Sequence, residues 1–235
     1  MIPKEIPFQG SLVLGLDCSG ESFSVAVVRQ GQALAERGGY SPRSHLRRLF
    51  PDLKGCLEEI GASFKEVGAV AVTVGPGSFT GLRLGVVTAR TIAQVTGCAL
   101  VGVNTLEALA QAHWGCPCLL AGLDARRGEI FAAFFDTSSG QLRRLAPDAA
   151  YTPQQLVERA QELNCRLAVG SGPWRYRQEL GAVPDLLLAP LQDAQVRAAQ
   201  VGVLGEEAWR AGRSVDYLHL EPRYLRSAEV QLGHK

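Results

Sequence analysis
Asp17 and Asp124 each close an apolar run, and both runs end in Gly-Leu-Asp, at 15–17 and 122–124. A carboxylate at a strand end can hold a metal-bound water, and the backbone N–H groups of the turn behind it can meet phosphate oxygens. The first turn reads Asp17-Cys18-Ser19-Gly20, with the Ser19 hydroxyl as a further phosphate ligand. The second reads Asp124-Ala125-Arg126-Arg127-Gly128. Two long arginines stand there where a phosphate turn needs small residues, although guanidinium groups themselves bind phosphate. A third stretch, GPGSFTGLRLG from Gly75 to Gly85, joins an apolar run to a helical pattern. Gly75, Gly77 and Ser78 would line the same cleft as the two aspartates. The stretch is not a Walker loop, since Leu82 and Arg83 follow Gly81, and Thr80 takes the place of the third glycine in G-x-G-x-x-G. Ser78 and Thr80 suit the cap of the following helix. Two readings stand for the aspartate pair: an altered nucleotide cleft of Asp17, Ser19, Gly75, Gly77, Ser78, Asp124 and Arg126, or two residues that only cap turns.

Other chemistry is poorly supplied. No Ser/His/Asp order and no cysteine with a nearby base makes a nucleophile. His113, His219 and His234 show no ligand spacing. The six cysteines include Cys116-Pro-Cys118, which is either a metal or redox pair or strand packing; the second is the expectation in a reducing compartment.

The aspartates sit in a repeat. LVLGLDCSGESFSVAVVRQGQAL (12–34) and LLAGLDARRGEIFAAFFDTSSGQL (119–142) each place a polar turn after the aspartate, then a strand, a second turn with Gly31 or Gly140, and a third strand. Each copy reads as a three-stranded meander. Helices follow over residues 44–60, with Pro51 as a kink or effective start, and over 81–97, with strands at 67–75 and 98–103. The second copy continues with a helix opening at Thr152-Pro153, strands at 165–170 and 185–190, and a helix over 193–211. Meander, helix, strand, helix, twice over, implies two α/β domains, each a mixed sheet with flanking helices. Residues 1–105 form the first, with 1–10 a loose extension. Residues 106–235 form the second, with 213–235 packing back on the first.

The helix over 81–97 carries Gly81, Gly85, Ala89 and Ala93 at successive i+4 positions, so one face is almost bare. Glycine inside a helix costs about 0.5–1 kcal/mol against alanine, and the gain is close approach. What approaches is either this protein's own sheet or a helix of another molecule; the second is the expectation.

Charge sets limits. Lys and Arg number 24 against 23 Asp and Glu, a net charge of +1, so the chain lacks the basic excess of a dedicated nucleic-acid binder. No apolar run reaches membrane-spanning length, and the N-terminus MIPKEIPFQG has no apolar core of a signal peptide. The expectation is a cytoplasmic protein.

GPGSFTGLRLG, with GVNTLEALA (102–110), LDARRGEIF (123–131) and EPRYLR (221–226), resembles the TsaB family over residues 12–226. The resemblance implies an α/β fold of two duplicated actin/Hsp70-like (ribonuclease H-like) domains. It implies a non-catalytic subunit that supports a TsaD-type catalytic homologue in threonylcarbamoyl transfer to the adenosine beside the tRNA anticodon, with a TsaE-type ATPase as third partner. The first-domain helices would bundle with those of the homologue through His45, Leu46, Leu49, Gly81, Gly85, Ala89 and Ala93, and a homodimer would use the same helices. tRNA contact would be indirect. No cofactor is expected on this chain alone; ATP or ADP with Mg²⁺ would sit at the complex interface. The catalytic relative carries a metal-binding His-x-x-x-His on its first helix, but here His45 is followed four places on by Leu49. Cys18 also stands where a Thr commonly follows the Asp. In the superfamily a turn like GSGPWR (170–175) contacts adenosine; here a plain turn is expected. The alternative function is a stand-alone ATPase or small-molecule kinase using Asp17, Ser19 and Asp124.

Overall fold
The computed structural model describes residues 11–40 and 45–225. The extension 1–10 and residues 226–235 lie outside them. Five strands make the first sheet: β1 (Leu12–Asp17), β2 (Ser22–Arg29), β3 (Gln32–Tyr40), β4 (Val67–Gly75) and β5 (Ala99–Asn104), in the order β3-β2-β1-β4-β5. β6 (Leu119–Arg126), β7 (Glu129–Asp136), β8 (Arg143–Tyr151), β9 (Leu167–Val169) and β10 (Leu187–Leu188) repeat it as β8-β7-β6-β9-β10. In each sheet an antiparallel meander leads, and the last two strands join in parallel. β1 and β4 are uncharged until Asp17 and buried throughout, as strands covered on both faces must be. The meander turns match as well. Gln30-Gly31 (φ 53° and 74°) and Arg127-Gly128 (φ 52° and 81°) are two-residue turns with positive φ at both positions, the hand that suits the twist of the flanking strands.

α1 (His45–Glu59) and α2 (Phe79–Thr96) cover one face of the first sheet. Leu53, Leu57, Val86 and Ala89 meet Leu14, Leu16, Val25 and Val72 there. α1 runs on through Pro51. α2 starts two residues earlier in the glycine-rich stretch than the periodicity suggests. Ser78 Oγ accepts the Gly81 N–H (3.3 Å), and Gly97 (φ 74°) closes the helix with its N–H on the Ala93 carbonyl (2.8 Å).

The opposite face of the first sheet holds a correction. The helix expected over 193–211 as part of the second copy is a 3-10 turn (Leu191–Ala194) followed by α7 (Ala198–Arg210), and α7 packs on β1, β2 and β4. Glycines decide this: a side chain at Gly15 would collide with the Ala198 carbonyl, and one at Gly205 with Ala71. The chain then stays with the first sheet. The Val215 N–H donates to the Leu100 carbonyl (2.9 Å), Leu220 enters the core, and the Arg223 N–H donates to the Val74 carbonyl (2.6 Å). The return to the first domain thus begins at α7, well before residue 213.

Glu206 ties α7 down. Its buried carboxylate accepts the N–H groups of Gln30 (2.8 Å) and Gly31 (2.6 Å) and pairs with Arg210 (2.6 Å). Glu206→Ala should therefore lower stability by about 2 kcal/mol, the scale of charge-assisted hydrogen bonds lost where water partly replaces them. Urea unfolding would measure it, and a change below about 0.5 kcal/mol would refute the assignment.

The second sheet is covered by α4 (Pro153–Glu162), α5 (Ser171–Arg175) and α6 (Arg177–Leu180). GSGPWR is thus not a plain turn: Gly170 opens α5. Between the sheets runs α3 (Thr105–Ala110), in contact with β4, β6 and α7. Asn104 caps it, accepting the N–H groups of Leu106 (2.9 Å) and Glu107 (3.0 Å), and its amide reaches Asp148. Arg144 bonds Glu107 (2.7 Å) and Asp148, joining α3 to β8. Among the described residues no helix is long and apolar enough to cross a membrane.

Candidate functional site
The repeat puts Asp17 at the end of β1, opposite Ser24, and Asp124 two residues before the end of β6, opposite Ile130. Their surroundings differ. Asp17 is buried. Its Oδ1 accepts the Thr73 hydroxyl (2.7 Å) and the Ser19 N–H (3.1 Å). The Ser19 carbonyl in turn accepts the Ser78 N–H (2.7 Å). A side chain on Gly77 would strike that carbonyl (2.6 Å), and one on Gly81 would strike the carbonyl of Cys18. The glycine-rich stretch and the Asp17 turn are therefore packed on each other, and the first need for glycine is this contact. Gly75 has a second reason: at φ 129° it sits in a region L residues avoid, with the Arg223 carbonyl over it. Burial, and then the Asp17 charge, push the Cys18 thiol far above its ordinary pKa, so it is a core residue and not a nucleophile.

Asp124 is held by arginines. Its carboxylate accepts the Arg126 N–H (3.0 Å) and pairs with Arg126 (3.6 Å) and Arg175 (3.3 Å). Arg126 also reaches across to Glu21, beside the first turn. Arg126 thus meets the chain's own carboxylates. The Ser19 N–H, both Asp17 and Asp124 carboxylates and the Arg126 guanidinium all have partners inside the chain. Among the described residues no group of three or more His, Cys, Asp or Glu is placed to hold a metal. Cys116 and Cys118 are buried at the start of β6 as free thiols, in the strand-packing role.

The bare ridge needs correction. Gly81, Gly85, Ala89 and Ala93 are all buried, and they face inward. A Cβ on Gly85 would lie 3.3 Å from Val72 and 3.5 Å from Cys18. The close approach these residues permit is that of α2 to its own sheet. Leu49 belongs to the same core and is also no surface residue. The side chains of His45 and Leu46 lie outside the described residues.

The outward row of α2 is offset by two positions: Phe79, Arg83, Val87, Thr91 and Val95. At its start the guanidinium of Arg83 lies 3.8 Å over the Phe79 ring and donates to the Tyr224 hydroxyl (3.1 Å). Farther along, Val87 is 58% and Val95 80% exposed. Phe50 on α1 is 51% exposed and stacks on Phe64 at 5.6 Å. Sequence reasoning missed this row, although its signal was present: Val87 and Val95, eight apart, on one stripe with Phe79 and Arg83. It also missed Thr73, Glu21, Arg175 and Arg223, whose roles depend on strands distant in sequence.

Two sheets of order 3-2-1-4-5, each with an aspartate at or near the end of its first strand, make the duplicated two-domain fold of the actin-like kind. A structure of the ethanolamine utilization protein EutJ from Carboxydothermus hydrogenoformans shares this fold at a TM-score of 0.52 and 12% identity, over 86% of this chain and 92% of its own. The family model "TsaD: tRNA N6-adenosine threonylcarbamoyltransferase" matches residues 23–176. The tRNA threonylcarbamoyladenosine biosynthesis protein TsaB of Escherichia coli is 31% identical, over 92% of this chain and 94% of its own length. That of Bacillus subtilis is 26% identical, over 93% and 96%. The structure of YeaZ from Pseudomonas aeruginosa superposes with a TM-score of 0.80 at 27% identity, covering 92% of this chain and all of its own. The chain belongs to the TsaB family.

Proposed function
We propose that this chain acts in tRNA threonylcarbamoyladenosine biosynthesis as a subunit without turnover of its own, one that binds and supports a TsaD-type catalytic homologue. The observation that carries the reading is the contrast between its two surfaces. The cleft is occupied by its own groups, Asp17 with Thr73 and Asp124 with Arg126 and Arg175. The helix face on the first sheet exposes Val87, Val95 and Phe50 to solvent. Exposed apolar side chains on the two helices of this layer, Val87 and Val95 on α2 and Phe50 on α1, suit a helix-to-helix contact with another subunit. The TsaD model matches residues 23–176 of this chain, which include α1, α2 and parts of both sheets, so a homologue of the same fold could offer a corresponding helix face. A TsaE-type ATPase joins the pair in this reading, and tRNA meets the catalytic homologue. ATP or ADP with Mg²⁺ enters only at the junction between subunits.

Reconstitution is the test. The purified chain alone should show no ATP turnover above background, and Asp124→Asn should leave that unchanged. Adding the chain to a TsaD-type homologue, a TsaE-type ATPase and tRNA should raise threonylcarbamoyl transfer at least about tenfold, a difference of about 1.4 kcal/mol in barrier. Brisk hydrolysis by the chain alone, lost in Asp124→Asn, would instead establish the stand-alone ATPase.

A further inference from the structure
A pocket of about 230 Å³ lies between the interdomain helix α3 and the segment that leads into α7. None of the residues of the Asp17–Asp124 cleft lines it. One wall is apolar and shallow: Ala108, Leu109 and Ala112. The rest is polar, with His113, Asp193, Gln195 and Gln200. His113 Nε2 is buried and has no hydrogen-bond partner in the protein. A buried polar atom without a partner is costly, so a native structure that keeps one has a use for it or fills it from outside.

Charge and size narrow what would fill it. Burial holds the His113 imidazole below its ordinary pKa, with Asp193 opposing, so at neutral pH the ring is uncharged and offers one donor and one acceptor nitrogen. The remaining cation of the lining, Arg197, donates from Nε to Glu36 at 3.0 Å. Asp193 and Glu36 therefore outnumber Arg197 by one negative charge, and an anion such as phosphate is disfavoured. The volume is below that of a pocket for a drug-sized ligand. An apolar wall for a ring face, two carboxamides, a carboxylate and a neutral imidazole match a small planar heterocycle that carries an amino group.

We propose that this pocket binds the base of an amino-bearing nucleoside. The ring would lie on Ala108, Leu109 and Ala112, and its exocyclic amine would donate to Asp193. His113 Nε2 and the Gln195 and Gln200 amides would meet the ring nitrogens and any carbonyl. The amine sets the selectivity, because a keto group in its place would face the Asp193 carboxylate with two acceptors opposed.

Nitrogen–proton correlation spectra of the His113 ring in the full chain report directly on Nε2. Titration with adenosine or with cytidine should shift the His113 resonances saturably, whereas uridine and inorganic phosphate should not. Asp193→Asn and Gln200→Leu should each weaken the binding by about tenfold, the scale of one hydrogen bond to a charged or buried group. Both positions are partly exposed, so folding should survive, and the amide dispersion in the same spectra checks it. Absence of a saturable shift with adenosine and with cytidine overturns the proposal. So does an equal response to uridine or phosphate, or binding that Asp193→Asn leaves unchanged.

Discussion

Gly85→Leu should unfold the first domain, while Gly85→Ala should leave stability near its starting value. A Cβ at this position would sit 3.3 Å from Val72 and 3.5 Å from Cys18. One methyl group asks Val72 to give by a few tenths of an ångström. Alanine also returns about 1 kcal/mol of helix propensity, so the two effects nearly cancel. Leucine adds three more carbons into a space bounded by β1 and β4, whose backbones are held by sheet pairing on both sides. Overpacking of that kind costs about 3 kcal/mol or more, a large share of the stability of a typical domain. Thermal unfolding followed by circular dichroism would show the contrast. A Gly85→Leu protein with unchanged unfolding temperature would mean that α2 does not lie on the sheet as described. The same experiment separates the two uses of a bare ridge, since a ridge turned to solvent would tolerate leucine.

Val87→Asp combined with Val95→Asp should do the reverse. Both side chains are exposed, at 58% and 80%, and neither belongs to the core around α2. Surface changes of this type stay within about 0.5 kcal/mol each, so the unfolding temperature should hardly move. If the proposed subunit contact uses this face, two carboxylates would be carried into an apolar seam and left unpaired, and affinity for the TsaD-type homologue should fall by about 100-fold or more. Isothermal titration of the two purified proteins would measure it. Unchanged affinity in the folded double variant would move the contact elsewhere on the chain. The two experiments together keep folding and assembly apart, because the valine variant should lose the contact while its folding is kept, and the leucine variant should show its loss in the unfolding temperature.

Much of the fold is legible because it is written in short-range patterns. The Gly-Leu-Asp runs, the two meanders and their positive-φ turns occur at matching places in both copies, and hairpins are local structures. Ser78 and Gly97 mark the ends of α2 by cap chemistry that any helix obeys. The candidate site was less legible. Its aspartates stand out as strand-end carboxylates, yet whether they face a ligand or the chain itself depends on Thr73, Arg175 and Glu21. α7 shows the same limit. Its helical period is plain, but the sheet it covers depends on what Gly202 and Gly205 meet, and Val28 and Ala71, which they meet, each lie more than a hundred residues away in sequence.

By itself, then, the amino-acid order determined a duplicated α/β chain, its two meanders, and the existence of a row of small residues on α2. The tertiary structure alone decided which way that row points. Glycine and alanine spaced by four lower the barrier to any close neighbour, and strand and helix backbones are equally able to take the place. Only the docking of α2 on Val72 and Cys18 chose the sheet, and by turning Gly85 inward it turned Val87 and Val95 out.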